Sequence, residues 1–144
     1  MSAIDPSTSE HPNPERQQLE LRSYLAGVKA SLDLDTVDLS RAYGQFELAR
    51  AAARGVLAEL SDSDLELFAA TGYALANALN ADPQAVQSST MAASRVYSSV
   101  ARAYQALADR DPGRKNLLQG LAGLADSRAR LAFDGIGVER PTVR

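Results

Sequence analysis

Between residues 14 and 132 the apolar side chains recur in steps of three and four, and nowhere alternate in steps of two. Such spacing returns a residue to one face of an α-helix at every turn, whereas a half-buried strand needs a period of two. The chain is therefore constrained to an all-α fold. A first helix over 14–32 presents Leu21, Leu25, Val28 and Leu32. A second, over 36–60, runs Leu39, Ala42, Phe46, Ala49, Ala53, Val56 and Leu60. The third, 62–80, offers Leu65, Phe68, Gly72, Leu75 and Leu79. The fourth, 83–110, gives Val86, Thr90, Ala93, Tyr97, Val100, Tyr104 and Leu107. The fifth, 112–132, aligns Leu117, Leu121, Leu124, Arg128 and Leu131.

Start signals agree with these limits. Asn13-Pro14, Asp82-Pro83 and Asp111-Pro112 each pair a capping side chain with a proline. Proline's missing N–H would be an orphan at the first helical position in any case. Ser61 precedes Asp62, Asp64 and Glu66, which suit the positive end of the helix dipole, and Asp33–Asp38 supplies a fifth start. Connections of one to four residues make consecutive helices antiparallel neighbours. The architecture read from the chain is an antiparallel bundle of five helices, four long plus one. At about 28 residues the fourth would be roughly 42 Å long. The second and fourth suit left-handed, coiled-coil-like packing. Residues 1–13, polar and without periodicity, read as a disordered arm; 14–133 form the bundle; 134–144 read as an extended tail.

Twenty-six alanines, no Trp, no Cys and 6% aromatics imply a core of Leu, Val and Ala in which helices approach closely. Net charge is −3, so a general nucleic-acid binder is not expected. Thirteen of the 15 basic residues are Arg, read here as a compositional trend rather than as phosphate recognition. Without cysteine there is no disulfide, thiolate catalysis or Cys-based zinc site. No secretory signal and no membrane-length apolar run are seen, which makes the cytoplasm the expected location.

Catalytic constellations are missing. The only histidine, His11, falls in the polar arm, where nothing would hold it against a nucleophile. Asp33–Asp38 and Asp62–Glu66 lack the glycine and bidentate glutamate of a calcium loop, so both read as helix N-terminal charge. Gly120 and Gly123 lie inside a helix, and Gly135 and Gly137 follow one, so neither pair is a phosphate loop. No cofactor and no metal are expected.

Several residues point instead to surfaces. Tyr97 and Tyr104 should sit at the core margin with their hydroxyls in water. Arg128, on an apolar seam, should snorkel or meet a carboxylate. Arg114 and Lys115 occupy the wrong end of a helix for cations, so they should pair with Asp109 or Asp111, or meet a partner or an anion. The fourth helix also carries a polar, small-residue stripe: Gln87, Met91, Ser94, Arg95, Ser98, Arg102 and Gln105. A solvated face would carry more Glu and Lys, so the stripe is expected to pack against another helix, of a protein partner or a second copy. The functional expectation is a non-enzymatic interaction or assembly module. Its interface residues would be Met91, Ser94, Arg95, Ser98, Arg102, Gln105, Arg114 and Lys115. An alternative rests on Leu60–Phe68 followed by Leu75–Val86, which resembles the helix-turn-helix of sigma-factor region four. That resemblance implies a DNA-binding regulator offering Gln84, Gln87, Ser88 and Arg95 to bases.

Overall fold

A computed structural model describes residues 14–54, 57–82 and 89–138. Among them run α1 (Pro14–Leu32), α2 (Leu39–Ala53), α3 (Asp62–Ala81), α4 (Ser89–Arg110) and α5 (Lys115–Val138). Single 3₁₀ turns, Leu57–Glu59 and Pro112–Arg114, precede α3 and α5. No strand occurs among the described residues, and the fold is an all-α helical bundle. Asn13, Val56, Pro83, Val86 and the arm 1–13 lie outside the described residues, as do 139–144.

The caps explain where helices begin. Asp38 Oδ1 accepts from the backbone N–H of Arg41 at 3.0 Å, starting α2. Ser61 Oγ accepts from the N–H of Asp64 at 3.1 Å, starting α3. Asp111 behaves otherwise: its side chain caps nothing, and Oδ2 takes Nε of Arg114 at 2.8 Å. A charged guanidinium is a stronger donor than a neutral amide, and Pro112 removes one N–H from the competition.

Two connections are longer than expected. Residues 33–38 join α1 to α2, closed by the N–H of Asp38 on the carbonyl of Ser31 at 3.2 Å. The second helix ends at Ala53 rather than near 60, because Arg54 leaves with φ −62° and ψ 130°. The 3₁₀ turn after it returns Leu60 to the core, 2% exposed. Arg110 of α4 pins that turn by donating to the carbonyls of Leu57 and Leu60 and to Asp62. At the other end, α5 continues to Val138, past the expected limit at 133 and into the stretch read as extended. Gly135 and Gly137 each weaken a helix by about 1 kcal/mol, but a helix already packed over four turns propagates without a new nucleus.

Side-chain pairs give the register. Tyr97 meets Asn77 and Arg110 meets Asp62, so α3 and α4 are antiparallel. Ser94 meets Ala129, while Gln105 shares a cleft with Gln119, so α4 and α5 are antiparallel as well. α3 and α5 thus run parallel on either side of α4. The hairpin of α1 and α2 covers the remaining face of α3. There Phe46 stacks on Phe68 with centroids 5.1 Å apart, and Arg22 clamps Asp64 through two bonds of 2.8 and 3.0 Å. The Asp64 side chain is only 3% exposed; its charge is held between that guanidinium and the N-terminal turn of α3.

One seam differs from the sequence reading. On α5 the buried residues are Leu118, Ala122, Ala125, Ala129 and Ala132, whereas Leu117, Leu124, Arg128 and Leu131 are exposed and Leu121 is half-buried. Both sets step by four and three, so periodicity alone is satisfied by either face. Alanines win because they let α5 lie close enough to α4 for Ser94 Oγ to reach the carbonyl of Ala129 at 2.8 Å; leucines would hold the axes apart.

Gly72 marks a tight crossing: a Cβ there would stand 2.8 Å from Val100 Cγ2 and 3.0 Å from Phe46 Cε1. A Cβ at Gly120 would meet nothing within 4 Å. Gly72→Ala is therefore expected to cost about 1–3 kcal/mol through overpacking, while Gly120→Ala should stabilise the isolated chain by about 0.5–1 kcal/mol. Urea unfolding followed by circular dichroism measures both, and equal effects of the two substitutions would contradict this packing.

Candidate functional site

The polar stripe of α4 divides between two surroundings. Ser94 and Ser98 are half-buried, and Ser94 bonds α5 of its own chain. Met91, Arg95, Arg102 and Gln105 are exposed, and Gln105 donates to Asp109 at 3.1 Å. Gln84, Gln87 and Ser88 lie outside the described residues. Arg114 is held at both ends of its guanidinium, by Asp111 at 2.8 Å and by Glu66 of α3 at 2.7 Å. Lys115 is exposed and makes no ion pair among the described residues. The structure thus places Ser94, Arg95, Ser98 and Arg102 around one hollow with Arg50 of α2, Ser98, Arg102 and Gln105 around a second with α5, and Arg114 toward α3.

A different surface was hidden in the sequence by its own regularity. Leu117, Leu124 and Leu131 stand at seven-residue intervals on the outer face of α5, exposed by 60%, 43% and 70%. Gly120 and Ser127 flank them, both exposed. Arg128, on the same seam, is folded back: it lies 5.6 Å over the Tyr73 ring and donates to Asn77 Oδ1 at 3.3 Å. Its charge is drawn toward α3, so the leucines keep an apolar strip. The arginine meets an amide and a ring, not a carboxylate. The signal that could have found this surface was the pair of interleaved heptad sets on one helix, only one of which can be buried against α4.

Beneath Arg128, Tyr97 is 0% exposed, in place of the expected margin position, and its hydroxyl donates to Asn77 Oδ1 at 2.5 Å. The Tyr73 and Tyr97 rings meet edge to face at 5.9 Å. Burial pushes the Tyr97 hydroxyl above its ordinary value, against the opposing pull of Arg128. Tyr104, half-buried, is raised by burial as well, with Tyr73 and Glu66 adding to it.

Comparison with protein-family models, curated proteins and solved structures finds no match. The functional reading therefore rests on geometry alone. Among the described residues no group of three or more His, Cys, Asp or Glu side chains could hold a metal ion. No helix of the described residues is long and apolar enough to cross a membrane. The stretch that resembles a helix-turn-helix contains one unbroken helix, Asp62–Ala81, and α4 behind it is covered by α3 on one side and α5 on the other.

The tyrosines give a pH test. A hydroxyl whose folded pKa exceeds its unfolded value of 10.0 adds stability that is present below that value and lost as pH rises through the folded one. Unfolding free energy should accordingly fall from pH 9 to above pH 10, and Tyr97→Phe should shrink that fall. At neutral pH the same substitution should cost about 0.5–1.5 kcal/mol for the lost bond to Asn77. Urea titrations across that range check both, and an undiminished alkaline loss in Tyr97→Phe would count against a buried hydroxyl.

Proposed function

We propose that this chain is a non-enzymatic assembly module that pairs with a second copy of itself through the leucine strip of α5. The observation that carries the reading is the exposure of Leu117, Leu124 and Leu131 at heptad spacing on a helix already anchored by its alanine face. Leucines seven residues apart form one row of a coiled-coil seam. A second copy presents the same row at the same spacing, so the strip is complementary to itself. Gly120 and Ser127 beside it leave room for a close neighbour. Small helix residues with no internal packing role are otherwise a net cost of roughly 0.5–1 kcal/mol each. Most of the interface thus moves from the α4 stripe to α5, with Arg114 at its N-terminal edge.

Energetics set the expected strength. Burying an exposed leucine fully is worth about 1.5–3 kcal/mol, and these begin partly covered. Association costs about 4–15 kcal/mol in lost freedom. Three leucines from each copy then support a weak, reversible dimer, with a dissociation constant of about tens of micromolar at best. Size-exclusion chromatography with light scattering should show a concentration-dependent dimer. Leu124→Lys should weaken it at least about tenfold without changing the circular dichroism spectrum. Leu48→Lys, at an exposed leucine of α2 (47%), should leave the dimer intact. A monomer at every concentration up to about 0.5 mM, above the expected constant, would overturn the proposal.

A further inference from the structure

On the opposite side of the molecule, a cavity of about 210 Å³ opens where the end of α2, the following 3₁₀ turn, α3 and α4 converge. Its rim is arginine: Arg50, Arg54 and Arg102. A neighbouring hollow shares Arg50, Ser99 and Arg102 and adds Arg95, so four guanidinium-bearing residues line the two hollows. Among the described residues no acidic side chain lines either part. In a chain of net charge −3 this is a local reversal of sign. Arg50 is already neutralised, bound to Glu47 at 2.6 Å. The side chains of Arg54, Arg95 and Arg102 make no ion pair or hydrogen bond among the described residues.

Two further features separate this cleft from an ordinary solvated face. Ser99 is 6% exposed and lines the cavity, which puts its hydroxyl on the wall. A hydroxyl there can donate to or accept from a group held in the cavity. The inner wall, by contrast, is apolar, formed by Ala53, Leu57 and Phe68. The cleft therefore offers unspent positive charge at its mouth, one hydroxyl on its wall and hydrocarbon at its floor.

We propose that this cleft binds a small organic phosphate, with the phosphate between Arg54 and Arg102 and its apolar portion against Leu57 and Phe68. Charge selects the head group. Two rim arginines lack a counter-ion, and a phosphomonoester carries about −1.5 to −2 near neutral pH, whereas a carboxylate supplies one charge. Geometry agrees, because three phosphoryl oxygens can accept from two guanidinium forks and a hydroxyl together. Volume limits the body: pockets for drug-sized ligands measure roughly 300–1,000 Å³, so the apolar portion is no larger than a single ring. The arginine content read as compositional is thus given a ligand by its placement.

Phenyl phosphate is the probe, titrated calorimetrically into the full chain in a phosphate-free buffer of low ionic strength. One saturable site per chain is expected. Arg102→Ala and Arg54→Ala should each weaken it about tenfold or more. Neither guanidinium supports the fold, and circular dichroism will verify that both variants remain helical. Arg41→Ala, an exposed arginine of α2 outside the cleft, should leave affinity within about twofold. Benzoate and inorganic phosphate should each bind at least about tenfold more weakly than phenyl phosphate. The site is refuted by absence of saturable binding up to about 10 mM, weaker than any specific site would show, or by equal losses in Arg41→Ala and Arg102→Ala. Benzoate binding as tightly as phenyl phosphate would overturn the phosphate assignment, and equally tight inorganic phosphate would overturn the apolar half.

Discussion

At Gly72, α3 passes against Val100 of α4 and Phe46 of α2 with no room for a methyl group. Much of the rest follows from it. Because α3 can approach both neighbours, Phe68 on the adjacent turn reaches the Phe46 ring, and Asn77 beyond it reaches the hydroxyl of Tyr97. The same approach brings Asp64 under Arg22, tying α1 to the start of α3. A larger residue at position 72 would separate three helices at once, since close-packed interiors transmit such a displacement instead of absorbing it.

The second layer obeys the same rule by other means. α5 attaches to α4 through alanines, which bury little area each but allow a short interaxial distance. Choosing the small face inward leaves the large face outward, so the leucines of α5 stand free on the side that leans toward α3. One ion pair and one cation–π contact then fix the lean: Arg114 to Glu66 near one end, Arg128 over Tyr73 near the other. Both bridges draw cationic groups off the strip and toward α3. An apolar surface made this way is a by-product of tight internal packing, and it is available for association.

Charge is distributed unevenly for a related reason. Carboxylates gather at helix starts, where Asp38, Asp62 and Asp64 serve caps and dipoles. Arginines that pair with them, such as Arg22, Arg110 and Arg114, are used in joining helices. Arg54, Arg95 and Arg102 make no ion pair among the described residues and, with the Glu47-bound Arg50, collect around one cavity. An acidic chain can therefore hold a cationic cleft without any basic run in its sequence.

What the sequence determined by itself was local. Apolar steps of three and four compelled helices, and Asp38 and Ser61 marked starts that the backbone then obeyed, because caps and periodicity act within a few residues. The inward residues of the first four helices were legible too, from Leu21 to Leu107, since each of those helices carries only one bulky apolar face. What only the tertiary structure decided was which of two equivalent faces α5 would bury, how far Tyr97 would sink, and which arginines would be left without partners. On α5 the leucine and alanine sets share one period, so nothing local distinguishes them; the distance to α4 does. Arg50, Arg54, Arg95 and Arg102 are scattered along two helices, and no spacing rule joins them. They become one surface only when α2 and α4 are brought together across α3, and contacts of that range are set by packing rather than by pattern.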